Sequence, residues 1–211
     1  MSALRPGGSA LTLRALSFCP LTDASRLLDI GCGRGESLAL ISERWGCRTA
    51  GIEPDDERRA LACAANPGID IAPATAELLP YADASFDIVL AECTASLFSD
   101  PRAAFAEIGR VLAPDGLLAL TDVYAREQTP PATTGMLRRL YTPEQWRTLL
   151  RQAGFSLRHE EDCGRVMQNM LGQMILDHGR EEAYRRIGLD RCCLKAAGLG
   201  YLLLIAAKED V

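Results

Sequence analysis

The positions of apolar residues divide most of this chain into strand-like runs separated by amphipathic, helix-like segments. Apolar runs of strand length alternate with stretches whose apolar residues recur at helical spacing. The run at 86–91 is apolar and partly β-branched, so we expect it to be central and buried on both faces. The pattern predicts an α/β fold with a doubly wound, mostly parallel sheet of seven strands. The predicted strands are 26–30, 48–53, 69–73, 86–91, 117–123, 155–161 and 201–207, and the helices between them are 36–45, 56–65, 101–112 and 142–153, with a turn at 113–116.

Two segments fall outside this alternation. The N-terminal segment, 1–25, carries Arg5-Pro6-Gly7-Gly8 before an amphipathic helix at 10–18, and a helical insert, 162–200, precedes the last strand. Adjacent glycines suit a close approach of the backbone to a ligand, so 1–25 is a candidate cover for a cofactor, with a frayed tail as the alternative. The 162–200 insert is a candidate substrate lid. Because no repeat or low-complexity linker separates these parts, we predict a single domain over 1–211.

Charge and composition indicate which kinds of partner the protein has. The net charge of -5 leaves no basic footprint, which argues against a nucleic-acid substrate. The first 20 residues lack the long apolar run of a secretory signal, and no stretch approaches the roughly 20 apolar residues of a membrane span. These observations predict a cytoplasmic protein that acts without a membrane.

The chain has eight cysteines, which raises the question of disulfides or a metal. Without an export signal a disulfide framework is not expected, and no C-x-x-C pair indicates a zinc site. The vicinal pair Cys192-Cys193, with Cys93 or Cys163 nearby, has the chemistry to hold a soft metal or arsenite. Small buried residues are the commoner fate of free cysteine, so we predict no metal site. The cysteines are residues 19, 32, 47, 63, 93, 163, 192 and 193.

A glycine-rich turn follows the first predicted strand. The sequence Gly31-Cys32-Gly33-Arg34-Gly35 stands between an apolar strand and a helix, the context of a nucleotide-binding loop. Asp29, in the strand before it, can order the loop or accept a hydrogen bond from a ligand ammonium group. Glu53 ends the second strand, where an acid accepts hydrogen bonds from both ribose hydroxyls.

The spacing of the turn argues against a dinucleotide. Dinucleotide-binding loops read G-x-G-x-x-G and hold a pyrophosphate at the helix N-terminus. Here the third glycine comes one residue early, and Glu36 takes the last position of that pattern. A carboxylate at that place repels a pyrophosphate.

Four segments, in order, resemble class I S-adenosylmethionine-dependent methyltransferases, a broad family that includes enzymes methylating carbon, oxygen and nitrogen of small molecules. The resemblance covers about residues 26 to 123, and 141–155 extends it. It implies a Rossmann-like fold, S-adenosylmethionine as cofactor, S-adenosylhomocysteine as product and a small-molecule acceptor. This cofactor has no phosphate, so Glu36 is tolerated. The four segments are 27–35, 51–54, 74–89 and 107–117.

The resemblance also implies roles for individual residues. Asp29 and the glycine loop, with Gly31, Cys32, Gly33 and Gly35, hold the methionine part of the cofactor, and Glu53 takes the ribose. Pro54, Thr75, Ala76 and Glu77 belong to the segments that flank the adenine. Glu92 and Cys93 lie beneath the sulfonium. In the covering segment, Arg5 meets the cofactor carboxylate and Gly8 approaches it closely.

One residue departs from the family pattern. The family often has aspartate or asparagine where this chain has Thr75, to accept from the adenine amino group. A threonine hydroxyl accepts more weakly, so this departure concerns the contact to adenine and not the identity of the cofactor.

Candidate catalytic residues follow the fifth strand. Asp122 and Tyr124 stand at the carboxyl edge of the sheet, where ligands bind in such folds, and either can orient a substrate or accept a proton. A helix cap and a surface aromatic are the structural alternatives. Of the two histidines, we predict that His159 is structural and that His178 ends the helix of the insert.

Three hypotheses follow for the activity. The first is methyl transfer to a small-molecule acceptor by in-line displacement. The second is a metalloid methyltransferase whose cysteine thiolates hold trivalent arsenic. The third is a protein that binds the cofactor without catalysis.

Overall fold

A computed structural model of the chain describes residues 5–126, 140–187 and 198–209. Most predicted elements form, with boundaries that match or shift by one or two residues, except that β5 begins five residues early. The helices are α1 (Gly8–Leu16), α2 (Glu36–Trp45), α3 (Asp56–Ala65), α4 (Pro101–Val111), α5 (Pro143–Gln152), α6 (Gly164–His178) and α7 (Arg180–Ile187). The strands are β1 (Arg26–Ile30), β2 (Arg48–Ile52), β3 (Asp70–Ala72), β4 (Phe86–Glu92), β5 (Leu112–Ala125), β6 (Phe155–Asp162) and β7 (Leu199–Lys208), with a 3₁₀ turn at Ala95–Leu97.

The described strands form one seven-stranded sheet in the order β3-β2-β1-β4-β5-β7-β6. Strands β1 to β5 run parallel, and β7 runs antiparallel to both of its neighbours, β5 and β6. The predicted doubly wound, mostly parallel sheet is therefore confirmed. The strand order reverses between β1 and β4, and in such sheets the ligand crevice opens at the carboxyl ends of the strands at that point.

Apolar side chains cover both faces of the sheet. On one face, Phe105 of α4 and Trp146 of α5 are fully buried against β4 and β5. On the other, Leu16 of α1 and Met167 of α6 contact β5 and β7. β4 lies between them with its apolar residues shielded on both sides, as its composition predicts.

Local capping fixes where the helices begin. The Thr142 hydroxyl accepts a hydrogen bond from Gln145 N, and the Gln145 side-chain oxygen accepts one from Thr142 N, so α5 begins with a capping box. Asp100 caps α4 through the backbone N–H groups of Arg102 and Ala103. Both starts are visible in the sequence because a capping residue and a proline stand at the first positions.

The predicted turn at 113–116 lies inside β5, whose predicted start at 117 is wrong. β5 begins at Leu112, directly after α4, and runs through these four residues. Phe86 pairs with Leu112 but Ile88 pairs with Leu117, so β5 loops out against β4 at this point. Asp115 takes a left-handed backbone (φ 58°) in the loop. The turn chemistry is real, but it produces an irregularity within the strand because Leu112 already pairs with β4.

Candidate functional site

The glycine loop lies at the carboxyl end of β1, in the crevice where the strand order reverses. All three of its glycines have positive φ, between 58° and 78°. A Cβ on Gly31 would meet the Thr94 side chain and one on Gly35 would meet Asn66, whereas a Cβ on Gly33 would meet nothing within 4 Å. Gly31 and Gly35 therefore have to be glycine, because neighbouring side chains leave no room for a Cβ. Gly33 presents bare backbone to open space, as a ligand-binding turn requires.

Glu53 connects this loop to the next one. Its side chain is nearly buried, with a residue exposure of 4%. One carboxylate oxygen accepts from Gly33 N at 2.9 Å and the other from Asp55 N at 3.0 Å. Each oxygen keeps a lone pair for a further donor, so the geometry is compatible with the predicted ribose contact.

Asp29 has an unfilled acceptor atom. The residue is 3% exposed, and no hydrogen-bond partner among the described residues reaches its Oδ2. Burial, followed by the charge of Glu92, raises the pKa of Asp29 well above its usual value, and Arg5 opposes that shift. Because buried polar atoms in proteins are almost always paired, an orphaned oxygen at the end of β1 fits a site that a ligand donor completes.

Glu92, at the end of β4, is the centre of a buried polar cluster. Its carboxylate accepts from Arg5 Nη1 at 2.6 Å and from the hydroxyls of Thr12 and Ser37 at 3.0 Å. Burial raises the pKa of Glu92, and Arg5 and then the two hydroxyls oppose the rise. The cluster joins the N-terminal segment, the start of α2 and the end of β4 around one carboxylate.

Arg5 is held in this cluster with donors to spare. Its Nη1 also donates to Ser37 Oγ, while Nε and Nη2 are buried and have no partner among the described residues. The N-terminal segment therefore reaches the crevice, and its role as a cover for the cofactor stays a prediction. The sequence placed Arg5 and Glu92 at the cofactor separately but missed Thr12 and Ser37. A small polar residue in the first turn after Gly35 was the available signal for Ser37.

Cys93 follows β4 with an unusual backbone. Its φ is 54°, and its N–H donates to Thr121 O at 2.7 Å. Burial raises the pKa of its thiol to about 12, so the group is a neutral thiol. A left-handed backbone at a residue with a Cβ carries strain, which is commonly kept where a site needs it.

The residues predicted to flank the adenine differ in exposure. Ala76 is buried, whereas Pro54 and Thr75 are exposed. Glu77 accepts from Ser99 N at 2.7 Å and Asp100 N at 3.2 Å, so its carboxylate supports the start of α4. The adenine contacts remain predictions, and the structure gives Glu77 a structural partner in addition.

The two predicted catalytic residues both have partners within the chain. Asp122 is fully buried and accepts from Ser96 N at 2.8 Å and Val123 N at 2.7 Å. Burial raises its pKa to about 6, against the opposing effect of these hydrogen bonds. The Tyr124 hydroxyl donates to Asp162 at 3.0 Å. Asp122 therefore positions the 3₁₀ turn after β4, and Tyr124 links β5 to the end of β6.

The histidines and the remaining cysteines show no metal chemistry in the described ranges. His159 stacks on Phe18 with ring centroids 3.9 Å apart, in agreement with the structural role predicted for it. His178 is the last residue of α6, also as predicted. Within 5–126, 140–187 and 198–209, no group of three or more histidine, cysteine or acidic residues has the arrangement of a metal site. Cys192 and Cys193 lie outside the described residues.

A pocket of about 670 Å³ opens beside this crevice, between α1, the end of β5 and the junction of β6 with α6. Gly7 and Leu11 line it on one side, and Arg126 and Asp162 on another. The insert thus contributes a wall to a pocket at the carboxyl edge of the sheet. None of the described helices is long and apolar enough to span a membrane.

Comparisons with known proteins agree on the family. The methyltransferase domain family matches residues 28–120. An uncharacterized methyltransferase of Bacillus subtilis (strain 168), YodH, is 30% identical over 164 residues, which are 74% of this chain and 70% of that protein. The 27-O-demethylrifamycin SV methyltransferase of Amycolatopsis mediterranei is 27% identical and covers 99% of this chain and 86% of its own length.

Solved structures share the fold. The geranyl diphosphate methyltransferase in complex with S-adenosylmethionine superposes with a TM-score of 0.79 over 95% of this chain and 85% of that one, at 16% identity, which speaks for the fold alone. The cyclase SpnF superposes with a TM-score of 0.75 at 28% identity, over 95% of this chain and 80% of that one. From the domain match, the YodH relative and the sheet order, the chain belongs to the class I S-adenosylmethionine-dependent methyltransferases.

Proposed function

We propose that this chain binds S-adenosylmethionine in the crevice between β1 and β4 and transfers its methyl group to a small-molecule acceptor. The observation that carries the proposal is a pair of unsatisfied groups in one buried cluster. Among the described residues, Asp29 Oδ2 has no hydrogen-bond partner, and neither do two nitrogens of Arg5, Nε and Nη2. An acceptor and several donors without partners suit the ammonium and carboxylate of the cofactor's methionine part.

The remaining contacts follow from the same geometry. Gly33 gives the cofactor access to bare backbone, and Glu53, held in place by Gly33 N and Asp55 N, accepts from the ribose hydroxyls. Ala76 is buried at the adenine side, with Pro54 and Thr75 exposed beside it. Segment 1–25 covers the cofactor through Arg5 and Gly8, and Glu92 with Cys93 lies on the sulfonium side. We place all of these in one domain.

Catalysis by this chain depends mainly on positioning. When bound, the cofactor supplies an electrophilic methyl group on a good, neutral leaving group. The chain has to align the acceptor atom and exclude water, and such alignment supplies much of the rate of a displacement. A base is needed only if the nucleophile must lose a proton. At the end of β5, Tyr124 is the candidate to orient the acceptor or take that proton, and Asp122, which is fully buried, is the candidate to position the 3₁₀ turn that it holds.

A small-molecule acceptor is supported by charge and by relatives. The net charge of -5 disfavours a nucleic acid. One relative that covers nearly the whole chain is named for methylating a rifamycin. The metalloid alternative needs thiolates, and burial raises the pKa of Cys93 to about 12 and that of Cys163 to about 11, which opposes their formation.

The deciding experiment is isothermal titration of the full chain with S-adenosylmethionine. We expect saturable binding, abolished in Gly33→Arg because the new side chain fills the space that the backbone now faces. Gly68→Arg is the matched control, since Gly68 also has positive φ and open space but lies away from the crevice. Glu53→Ala should weaken binding, and Glu57→Ala, exposed on α3, should not. No binding by the wild-type chain at millimolar cofactor would sink the proposal.

A cofactor-binding protein without catalysis is distinguished by a second step. Transfer of labelled methyl from the cofactor to a library of small nucleophiles should give product with the wild-type chain. Retained cofactor affinity with no product from any nucleophile would favour the non-catalytic alternative.

A further inference from the structure

Among the residues that the structure describes, those lining the pocket of about 670 Å³ beside the crevice carry more positive than negative charge. Its lining includes three arginines, Arg14, Arg126 and Arg165, against two carboxylates, Glu161 and Asp162. Cys163, which also lines the pocket, is neutral near pH 7, because burial raises the pKa of its thiol to about 11. One arginine therefore exceeds the carboxylates available to neutralise it.

Arg165 is that arginine. Arg14 pairs with Glu161 at 2.9 Å and Arg126 pairs with Asp162 at 3.2 Å. Arg165 is exposed in the first turn of α6, and its side chain makes no ion pair or hydrogen bond within the described part of the chain. A guanidinium has five donors in a fork that matches a carboxylate or phosphate, so a free one on a pocket wall favours an anion.

The two paired arginines are also available to a ligand at low cost. In both pairs the side chains are about a third to a half exposed, so water screens the attraction and the pairs are weak. Asp162 keeps two other donors if Arg126 turns away, the Tyr124 hydroxyl at 3.0 Å and Gly164 N at 2.7 Å. An incoming anion can therefore replace Asp162 as the partner of Arg126 without leaving Asp162 unpaired.

The start of α6 adds little by itself. Gly164 N already donates to Asp162, and Val166 N donates to Cys163 O. The backbone donors of this turn are thus partly occupied, and the arginine side chains provide most of the attraction for an anion.

The position of the pocket connects it to methyl transfer. The Arg126 guanidinium lies 5.6 Å from the centroid of the Tyr124 ring, and Tyr124 is a candidate for orienting the acceptor. On the opposite wall, Leu11 of α1 lines the pocket while the next residue, Thr12, donates to Glu92 in the crevice. The helix α1 therefore contributes residues both to the pocket and to the proposed cofactor site.

We propose that this pocket recognises the acceptor, and that the acceptor is a small molecule bearing a carboxylate or phosphate group held by Arg165 and Arg126. The inference rests on the proposed methyl transfer, whose acceptor class it specifies. A neutral or cationic acceptor would leave Arg165 unused and would meet a net positive wall.

The test is a titration of the full chain, without cofactor and with S-adenosylhomocysteine, at constant ionic strength. The probes are benzoate, succinate and phenyl phosphate, with benzamide, succinamide and phenol as their neutral counterparts and benzylamine as a cation. We expect at least one anion to bind at up to about 10 mM and about tenfold more tightly than its neutral counterpart, as a charge-assisted contact provides. Comparing the carboxylates with phenyl phosphate identifies the preferred anion.

Variants assign the binding to these side chains. Arg165→Gln and Arg126→Gln should each weaken the anion about tenfold. Arg158→Gln is the matched control, because Arg158 is exposed on β6 and does not line the pocket. The proposal is overturned if no anion binds, if a neutral probe or the amine binds as well as the anions, or if Arg165→Gln keeps the wild-type affinity.

A labelled-methyl assay on acids and their amides then tests the link to catalysis. Acids should be methylated in preference to amides, and Arg165→Gln should raise KM for the acid about tenfold with kcat nearly unchanged. Preference for the amides, or no effect of Arg165→Gln on KM, contradicts the assignment of the pocket to the acceptor. Because anion binding is measured without cofactor as well, a failure to bind S-adenosylmethionine would overturn the proposed function separately.

Discussion

The guanidinium of Arg5 lies 2.6 Å from the carboxylate of Glu92, although 87 positions separate them in the chain. The side chain of Arg5 is 12% exposed and that of Glu92 is 6% exposed. The contact attaches the N-terminal segment to the end of the central strand β4, close enough to Asp29 for the charges of Glu92 and Arg5 to act on its pKa. A segment that a linear reading leaves as a possible frayed tail is thereby made part of the crevice.

Replacing Arg5 should weaken cofactor binding. Arg5→Gln removes the charge that faces Glu92 and the free donors proposed for the cofactor carboxylate. We expect the Kd for S-adenosylmethionine to rise about tenfold or more, since a hydrogen bond to a charged group contributes about 1.5–3 kcal/mol. Isothermal titration measures it. The control is Arg48→Gln at the exposed start of β2, and equal affinity of both variants would contradict the assignment.

Asp122 should make the protein less stable as pH rises through about 6. Burial raises the pKa of its carboxyl to about 6, above the unfolded value, so the folded state holds the proton more tightly. The stabilisation is fully present below about pH 4 and is lost as pH rises through 6, by roughly 3 kcal/mol for a shift of about two pKa units.

Denaturation by urea between pH 4 and 7 isolates this effect. Asp122→Asn does not titrate, so the unfolding free energy of wild type minus that of the variant should fall as pH rises. Other carboxyls with raised pKa values, Asp29 and Glu92, contribute equally to both proteins and cancel in the difference. A difference that stays constant over this range would show that the Asp122 pKa is not raised.

Gly200 should not tolerate a methyl group. A Cβ at this position would overlap the ring of Tyr124, its antiparallel partner on β5. Overpacking of a filled core costs about 1–3 kcal/mol, so Gly200→Ala should lower the unfolding free energy by at least that amount. Gly172→Ala is the control, because its Cβ would meet nothing within 4 Å and alanine favours the helix.

A double variant tests the cause of that loss. Tyr124→Ala removes the ring. In that background Gly200→Ala should lower the unfolding free energy much less than it does in the wild-type chain, so that the two effects are not additive. Additive losses would place the clash elsewhere.

The cysteine thiols should differ sharply in reactivity. Cys63 is exposed, whereas burial raises the pKa of Cys19 and Cys93 to about 12. At pH 8 only roughly one in ten thousand of the buried thiols is a thiolate, which is the reactive form. Iodoacetamide should modify Cys63 well before Cys19 or Cys93, as followed by peptide mass spectrometry. Rapid modification of Cys93 would contradict this prediction and would show that Cys93 forms a reactive thiolate.

Much of the candidate site was predictable because parallel strands bring their carboxyl ends to one edge. Once β1, β2 and β4 are recognised, Asp29, Glu53 and Glu92 must lie along that edge. The hydroxyls of Thr12 and Ser37 were not predictable, since each is one small polar residue on a helix, and only the partner across the crevice distinguishes it. The same holds for Tyr124, whose hydroxyl donates to a carboxylate 38 positions away.

By itself, the sequence determined the local elements, the helix caps and the glycine turn, because these depend on periodicity and on residues a few positions apart. It determined the class of fold as well, since strands that alternate with helices have few ways to form a sheet. Only the tertiary structure decided that β7 inserts antiparallel between β5 and β6, that Arg5 reaches Glu92, and that Arg165 faces a pocket without a partner among the described residues. These relationships join distant segments, and the energy that selects them comes from burial and charge pairing, which no short stretch of sequence contains.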